Sequence, residues 1–305
     1  MTATVIAAEM QGEGHPVRPP PRKGRARFAT GAFIMVLAVL WMLPLLWTVF
    51  VSLRTESDTN AHGYLSWPRS LTLQNYSNAW TQGQILMHFW NSAKITVPAV
   101  IITLFLASCV AFVVARFSFR FNLILLLVFT AGNLLPQQVL LAPLFKIYTS
   151  VAVPNWLSDS GQLYDSIAGI VLINVAFQTG FCVFVLSNFM RTIPEELTEA
   201  ALVDGASVWT QYWRITMPLC RPALAALATL LTTWIYNDFF WALTLMSTGD
   251  KLPITSAIKN LQGEYAQNAN LLSAGSLIIA VPTLVVYLIL QRQFIAGLTL
   301  GSTKG

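Results

Sequence analysis

Charge is what this chain has least of. Of its 305 residues only 10% are Asp, Glu, Lys or Arg, against 55% hydrophobic. Soluble domains carry about 25% charged residues, so the deficit excludes an ordinary water-soluble globule and points to a membrane protein. Cysteine is scarce as well: Cys109, Cys182 and Cys220 all lie in or beside apolar runs. An odd number with no spacing pattern argues against a disulfide framework and against a zinc site. The sequence has no His-rich metal spacing, no G-x-S-x-G and no GxxxxGK[ST] phosphate loop. Catalytic residues, a metal site and bound ATP are therefore not expected on this chain, which reads as a non-enzyme. No basic stripe interleaves with aromatics, so the net charge of +5 speaks to membrane orientation and not to nucleic acid.

Long apolar runs are what the chain has in abundance. A transmembrane helix needs about 20 mainly apolar residues, and six stretches qualify, roughly 28–53, 92–115, 122–147, 166–189, 222–246 and 271–291. None alternates as a barrel strand would, which leaves helices as the way to satisfy backbone groups in lipid. The expected fold class is all-α, a polytopic membrane protein with six transmembrane helices spanning 28–296. Residues 1–27 are polar, carry Pro19, Pro20 and Pro21, and end in a basic run. They read as a disordered tail. The apolar run behind them is about 25 residues, longer than the 7–15 of a signal-peptide core, so an uncleaved first span is expected.

Lys and Arg set the orientation. With the N-terminus cytoplasmic, the inner segments hold twelve of the 18 basic residues, including Arg116, Arg120, Arg191, Arg214, Arg221, Arg292 and Lys304. The outer side holds six: Arg54, Arg69, Lys94, Lys146, Lys251 and Lys259. Basic residues collect on the cytoplasmic side, so both termini, the 190–221 loop and the 297–305 tail are expected there.

That loop has strong local punctuation. Pro194 suits a first helical position, and Glu195 and Glu196 suit a first turn, where the helix dipole favours negative charge. Ala200, Ala201 and Leu202 are good helix formers, and Gly205 can take the left-handed conformation that ends a helix. A second helix is expected from about Ser207 toward Pro218. This chemistry alone favours a surface helix that merely ties span four to span five.

At these residues the chain resembles a known family. Glu199-Ala200-Ala201, Asp204-Gly205-Ala206, Ile215 and Pro218 resemble the EAA loop of ABC-importer permeases, with Met217 where the family usually has Leu. Asn75-Tyr76, Asn91-Ser92, Ala115-Arg116-Phe117 and the span-three residues Pro136, Gln138, Leu141, Pro143 and Leu144 are similar to other signposts of that family. The ending GLTLGSTKG, Gly297 to Gly305, resembles the C-terminal signature of its carbohydrate-uptake branch, the maltose-type permeases. The resemblance implies a coupling helix in the 190–221 loop that docks into a cleft on a cytoplasmic ATPase. Glu199 would pair with a basic group there, Ala200 and Ala201 would allow close approach, and Gly205 would permit the turn. Asp204 and Pro218 complete the motif. Gly297, Gly301, Lys304 and Gly305 would reach the same ATPase. The implied assembly has a second permease subunit, two ATP-binding subunits carrying ATP and Mg, an extracytoplasmic solute-binding protein and a sugar substrate, in the cytoplasmic (inner) membrane.

Within the spans, Asp238 is the acidic residue that falls well inside. A mid-membrane carboxylate costs about 2.5–3.5 kcal/mol on insertion scales and usually faces a cavity or a partner. At about 1.5 Å per residue from Pro222 it sits roughly 24 Å along, toward the outer third. On a continuous helix Trp234, Asn237, Asp238 and Trp241 share one face. Such a face suits a neutral sugar, with polar groups bonding hydroxyls and rings packing on C–H faces. It suits equally an aromatic belt with an Asp–Asn pair bonding a neighbouring helix. YNDFFWAL also resembles a family pattern, with Tyr236 for the usual Trp. Gln178, with Asn174, is a further candidate for the substrate pathway. Two other functions remain open at this point. One is an ion-gradient-driven secondary transporter, which normally needs several intramembrane ionisable groups. The other is a permease for a non-sugar solute such as a glycerol phosphodiester or a polyol.

Overall fold

The computed structural model describes residues 25–132, 135–261 and 268–299. The expected N-tail through residue 24, and Gly301, Lys304 and Gly305 of the expected C-tail, lie outside them. Contacts divide the chain into two compact units, Met1–Thr48 and Val49–Gly305.

The elements are helices α1 (Arg25–Ser52), α2 (Glu56–His62), α3 (Gln74–Gln82), α4 (Ile85–Arg116), α5 (Asn122–Gly132), α6 (Leu141–Ser150) and α7 (Ile167–Met190). Then come α8 (Glu196–Val203), α9 (Val208–Leu219), α10 (Arg221–Tyr236), α11 (Phe240–Leu245), α12 (Ile254–Ala257) and α13 (Ala269–Thr299). No strand occurs among the described residues, which carry two isolated bridges. Among the described residues, four helices are long and apolar enough to cross a membrane: Phe28–Ser52, α4, α7 and Ala269–Ile289. The number rises to six if two bent pairs each count as one span. One bent pair is α5 with Gln137–Ser150; the other is α9 with α10, which meet at 72°.

The first bend has a local cause. Pro136 has no N–H to give a helix and sits extended, with φ −60 and ψ 126, before a short 3₁₀ turn at Gln137–Leu140. The expected span 122–147 is therefore not one continuous helix. The expected span 222–246 is broken too. Helix α10 stops at Tyr236, Asn237 caps it by donating Nδ2–H to the Thr233 carbonyl at 2.7 Å, and α11 begins at Phe240. At the other end of the chain, α13 continues through Gly297, so the expected boundary between the last span and the tail falls inside a helix.

Residues 49–305 are built around α4 and α7, which lie side by side, with α5 against α7 and α10 against α4 and α13. The contact face of α4 explains how close they come. Ala99, Thr103, Ala107 and Ala111 recur every fourth residue and are fully buried. Small side chains at that spacing let helix backbones approach, which is how helices associate where lipid removes the hydrophobic drive. Cys182, Val183, Leu186 and Met190 of α7 are buried in the same core.

The two ends of this bundle are tied differently. At one end Arg116 Nη1 donates to the Ile193 carbonyl at 3.2 Å, fastening the end of α4 to the loop before α8. At the opposite end the 246–254 loop is held from two sides. From α4, Asn91 Nδ2 donates to the Asp250 carbonyl at 2.7 Å, a ring nitrogen of His88 lies 2.7 Å from the Leu252 carbonyl, and Ser92 Oγ accepts the Ile254 N–H at 2.8 Å. From the foot of α7, the Asp165 carboxylate accepts the N–H groups of Ser247 and Thr248 at 2.8 and 2.9 Å and the Thr248 hydroxyl at 2.6 Å. Asp165 itself sits at φ +59, an unusual conformation that Asp tolerates better than most residues. Lys251 Nζ lies 3.0 Å from Asp159 and 3.8 Å from Asp165.

Burial opposes ionisation of Asp165, but the three hydrogen bonds from Thr248 and Ser247, with Lys251 nearby, hold its carboxyl below the usual carboxylate range. A depressed folded value stabilises the fold above the unfolded value of about 4, and that contribution is lost as acid protonates the folded group. Asp165→Asn is accordingly expected to lower the thermal midpoint at pH 7 and to close the gap to wild type as the pH falls below about 4. A constant gap across that range, in detergent-solubilised protein, would contradict this account.

A second buried hub follows α1. Arg54 is 0% exposed; it bonds Asp58 through Nε and Nη2 at 3.1 and 3.0 Å, the carbonyls of Gly63 and Tyr64, and Ser66 Oγ. A buried guanidinium is tolerable when its donors are used in this way. Burial pushes the Asp58 carboxyl up, but the Arg69 N–H and the Arg54 guanidinium outweigh it and hold the group below its ordinary range. Asn75 and Asn270 then tie α3 and α13 to the Arg54 carbonyl at 2.7 and 3.2 Å.

Candidate functional site: a polar cavity and a capped loop

The break after α10 makes the first site. A cavity of about 280 Å³ lies where α7, α10, α11 and the 3₁₀ turn before α6 converge. Its polar walls are Gln137, Asn174, Gln178 and Asp238, and its aromatic walls are Phe177, Trp234 and Trp241. Because the chain leaves helical geometry at Asn237, Asp238 can turn back over the start of α11. There its Oδ1 accepts the Trp241 N–H at 3.3 Å, and Oδ2 accepts from Asn174 Nδ2 at 3.4 Å. Asn174 also donates to the Ile170 carbonyl at 3.0 Å, which fixes its amide. The Thr255 hydroxyl bonds the Asp238 carbonyl at 2.9 Å and anchors the break itself. Trp241 is 2% exposed, with the Phe177 ring 5.2 Å and the Phe240 ring 5.0 Å away.

Of the five residues expected along a substrate pathway, Trp234, Asp238, Trp241 and Gln178 thus line one cavity. Asn237 does not. It faces α13, where its Oδ1 accepts from the Thr283 hydroxyl at 3.4 Å. The single helical face expected for these residues presumed an unbroken helix. Gln137 and Phe177 were not among the residues expected along that pathway; the fold brings them to the cavity.

The second site is the loop at the other end. Helix α8 begins after Glu195, so Pro194 lies just outside it. It closes with Gly205 at φ +74, the Gly205 N–H bonding the Leu202 carbonyl at 3.0 Å and the Ala206 N–H bonding the Ala201 carbonyl at 2.8 Å. These are the paired bonds of a Schellman cap, with Asp204 in the capping position. The Ser207 hydroxyl then caps α9 by accepting the Thr210 N–H at 3.3 Å. Helix α9 is pinned from inside: buried Tyr212 meets Ser108 Oγ of α4 at 2.6 Å and packs on Phe112, 5.4 Å away.

Helix α8 presents the opposite character. Glu199, Ala200 and Asp204 are exposed, and Ala201 is buried against the protein's own core. Leu202 and Val203 of α8, the latter at 88% exposure, and Trp209 of α9 are exposed apolar side chains. Glu199 lines a cavity of about 610 Å³ together with Arg116 and Arg191. Pro218 is exposed near the end of α9.

Residues 107–297, which run from mid-α4 through this loop and the cavity, match the family described as binding-protein-dependent transport system inner membrane component. The chain belongs to that family. As a permease of this kind it is similar to the diacetylchitobiose uptake system permease protein NgcG of Streptomyces coelicolor. The two are 30% identical over 91% of this chain and 90% of that one. It is also similar to the α-glucoside transport system permease protein AglG of Rhizobium meliloti, 34% identical over 78% of this chain and 62% of that one. The arabinooligosaccharides transport system permease protein AraQ of Halalkalibacterium halodurans is 30% identical over 90% and 94%. In fold the permease resembles a chain of a bacterial ABC transporter involved in the import of the acidic polysaccharide alginate. That match has a TM-score of 0.74 at 18% identity and covers 91% of this chain and 99% of the other.

Proposed function

We propose that the chain is the permease subunit of an ATP-driven importer that carries a sugar or oligosaccharide across the cytoplasmic membrane. The observation that carries the sugar is the cavity. Three carboxamides and a carboxylate beside two indoles and a phenyl ring are what hydroxyls and C–H faces need together. The relatives NgcG, AglG and AraQ, named for diacetylchitobiose, α-glucoside and arabinooligosaccharide transport, support the same class.

The energy comes from outside the chain, since the sequence holds no phosphate loop. Two ATPase subunits, loaded with ATP and Mg, would receive the α8 face through Glu199, Ala200 and the exposed apolar residues, with Gly205 setting the turn into α9. Gly297, Gly301, Lys304 and Gly305 would add contacts from the C-terminal end. A second permease subunit would complete the pathway. A solute-binding protein would deliver the sugar at the 246–254 end, an arrangement favoured by a solved alginate transporter in complex with its periplasmic protein, which shares this fold with a TM-score of 0.54. Both termini would be cytoplasmic.

A strain lacking this chain is expected to lose uptake of one labelled oligosaccharide from a panel and to regain it with the wild-type gene. Intact uptake of every oligosaccharide, with loss of a polyol or a glycerol phosphodiester, would overturn the sugar reading.

A further inference from the structure

We infer that the α7–α10–α11 cavity sorts its cargo by charge, accepting neutral and amino-bearing glycans and rejecting uronate-bearing ones. This rests on the sugar-import reading and adds to it the charge class of the sugar. Asp238 is the one ionisable residue among the seven that line the cavity. Lys251, on the 246–254 loop, is engaged by Asp159 and Asp165. A uronate entering this space would leave water for a site that offers an acid and no base, and burying an unpaired carboxylate is costly. An amino sugar would find the reverse, a carboxylate fixed by Asn174 and the Trp241 N–H and able to accept a charge-assisted hydrogen bond. A like charge about 6 Å from Asp238, at an effective dielectric constant of about 20, weakens binding of a uronate relative to a neutral sugar by roughly a hundredfold. The similarity in fold to an alginate importer does not carry an acidic cargo over, because at 18% identity only the architecture is shared.

The test is binding by the assembled transporter in lipid nanodiscs with the solute-binding protein left out, read by tryptophan quenching from Trp234 and Trp241. Three disaccharides are titrated: cellobiose, chitobiose with its free amines, and digalacturonate. Chitobiose is expected to bind more tightly than cellobiose by about tenfold, the size of one charge-assisted bond, and digalacturonate roughly a hundredfold more weakly. Asp238→Asn should collapse the spread toward a single affinity. Gln178→Lys, which puts a cation on the cavity wall and leaves Asp238 in place, should raise digalacturonate binding above wild type. Equal binding of digalacturonate and cellobiose by wild type, or a spread unchanged in both variants, overturns the charge inference while sugar binding stands. Quenching by none of the three removes the sugar reading and the inference with it.

Discussion

Gly205→Val is expected to cut substrate-driven ATP hydrolysis and uptake about tenfold or more, with normal insertion and a thermal midpoint within a few degrees of wild type. The cause is backbone conformation and not crowding. Gly205 sits at φ +74, and no atom lies within 4 Å of where a Cβ would be. A β-branched residue held there costs about 1–3 kcal/mol. The chain can escape that strain by opening the cap bonds to Leu202 and Ala201. Opening them frees α8, whose outer face is solvent-exposed, while α9 stays pinned to α4 through Tyr212. The damage should therefore fall on the orientation of α8 and not on the core. A graded series separates this from simple loss of structure: Asn, which tolerates the left-handed region, should stay near wild type, Ala should be intermediate and Val worst. Glu199→Arg should give a similar defect for another reason, because it places a third cation on the wall of the cavity that Arg116 and Arg191 line. Wild-type uptake in both Gly205→Val and Glu199→Arg, at normal expression, would remove the coupling role from this loop.

Trp241→Ala is expected to abolish uptake and to lower the thermal midpoint by roughly ten degrees. Truncating a buried Trp costs about 3–5 kcal/mol in well-packed cores, and each kcal/mol shifts a chain of this size by about 2–4 °C. Trp241 is 2% exposed and braced by Phe177 and Phe240, so little can collapse into its space. Trp234 gives the contrast. It lines the same cavity but is half-exposed, beside Phe181 at 5.3 Å. Trp234→Ala should raise the apparent KM for the sugar several-fold, the scale of one aromatic contact, with the midpoint nearly unchanged. If the two variants behave alike, the division between a bracing indole and a cargo-facing one is wrong.

The 190–221 loop was legible in the sequence because its signals are local. Gly205 ended a helix as expected, and Ser207 opened the next. Pro194, expected at the first helical position, lies two residues before it, and Glu195 is the cap. Hydropathy found the apolar stretches but not their breaks. Pro136 marked one break, while the other, at Asn237 to Phe239, contains neither Pro nor Gly, so the helical period ran through it unchecked. That break is what gathers Asp238, Trp241 and Asn174 around one cavity and sends Asn237 elsewhere. The long-range ties were not legible at all. Asp165 reads as a loop acid, yet its partners lie 82 and 83 residues away. Arg54 counts as an outer charge in the sequence, yet it is wholly buried, and nothing in its neighbourhood announces the carbonyls it serves.

Reconstitution tests the central claim most directly. The chain is purified with whatever follows it at fixed stoichiometry and placed in proteoliposomes with the solute-binding protein and the labelled oligosaccharide that the deletion strain fails to import. Uptake that requires the co-purifying ATPase and ATP, and that is lost in Gly205→Val, is the predicted result. Uptake by this chain alone, driven by an ion gradient and indifferent to ATP, would contradict it.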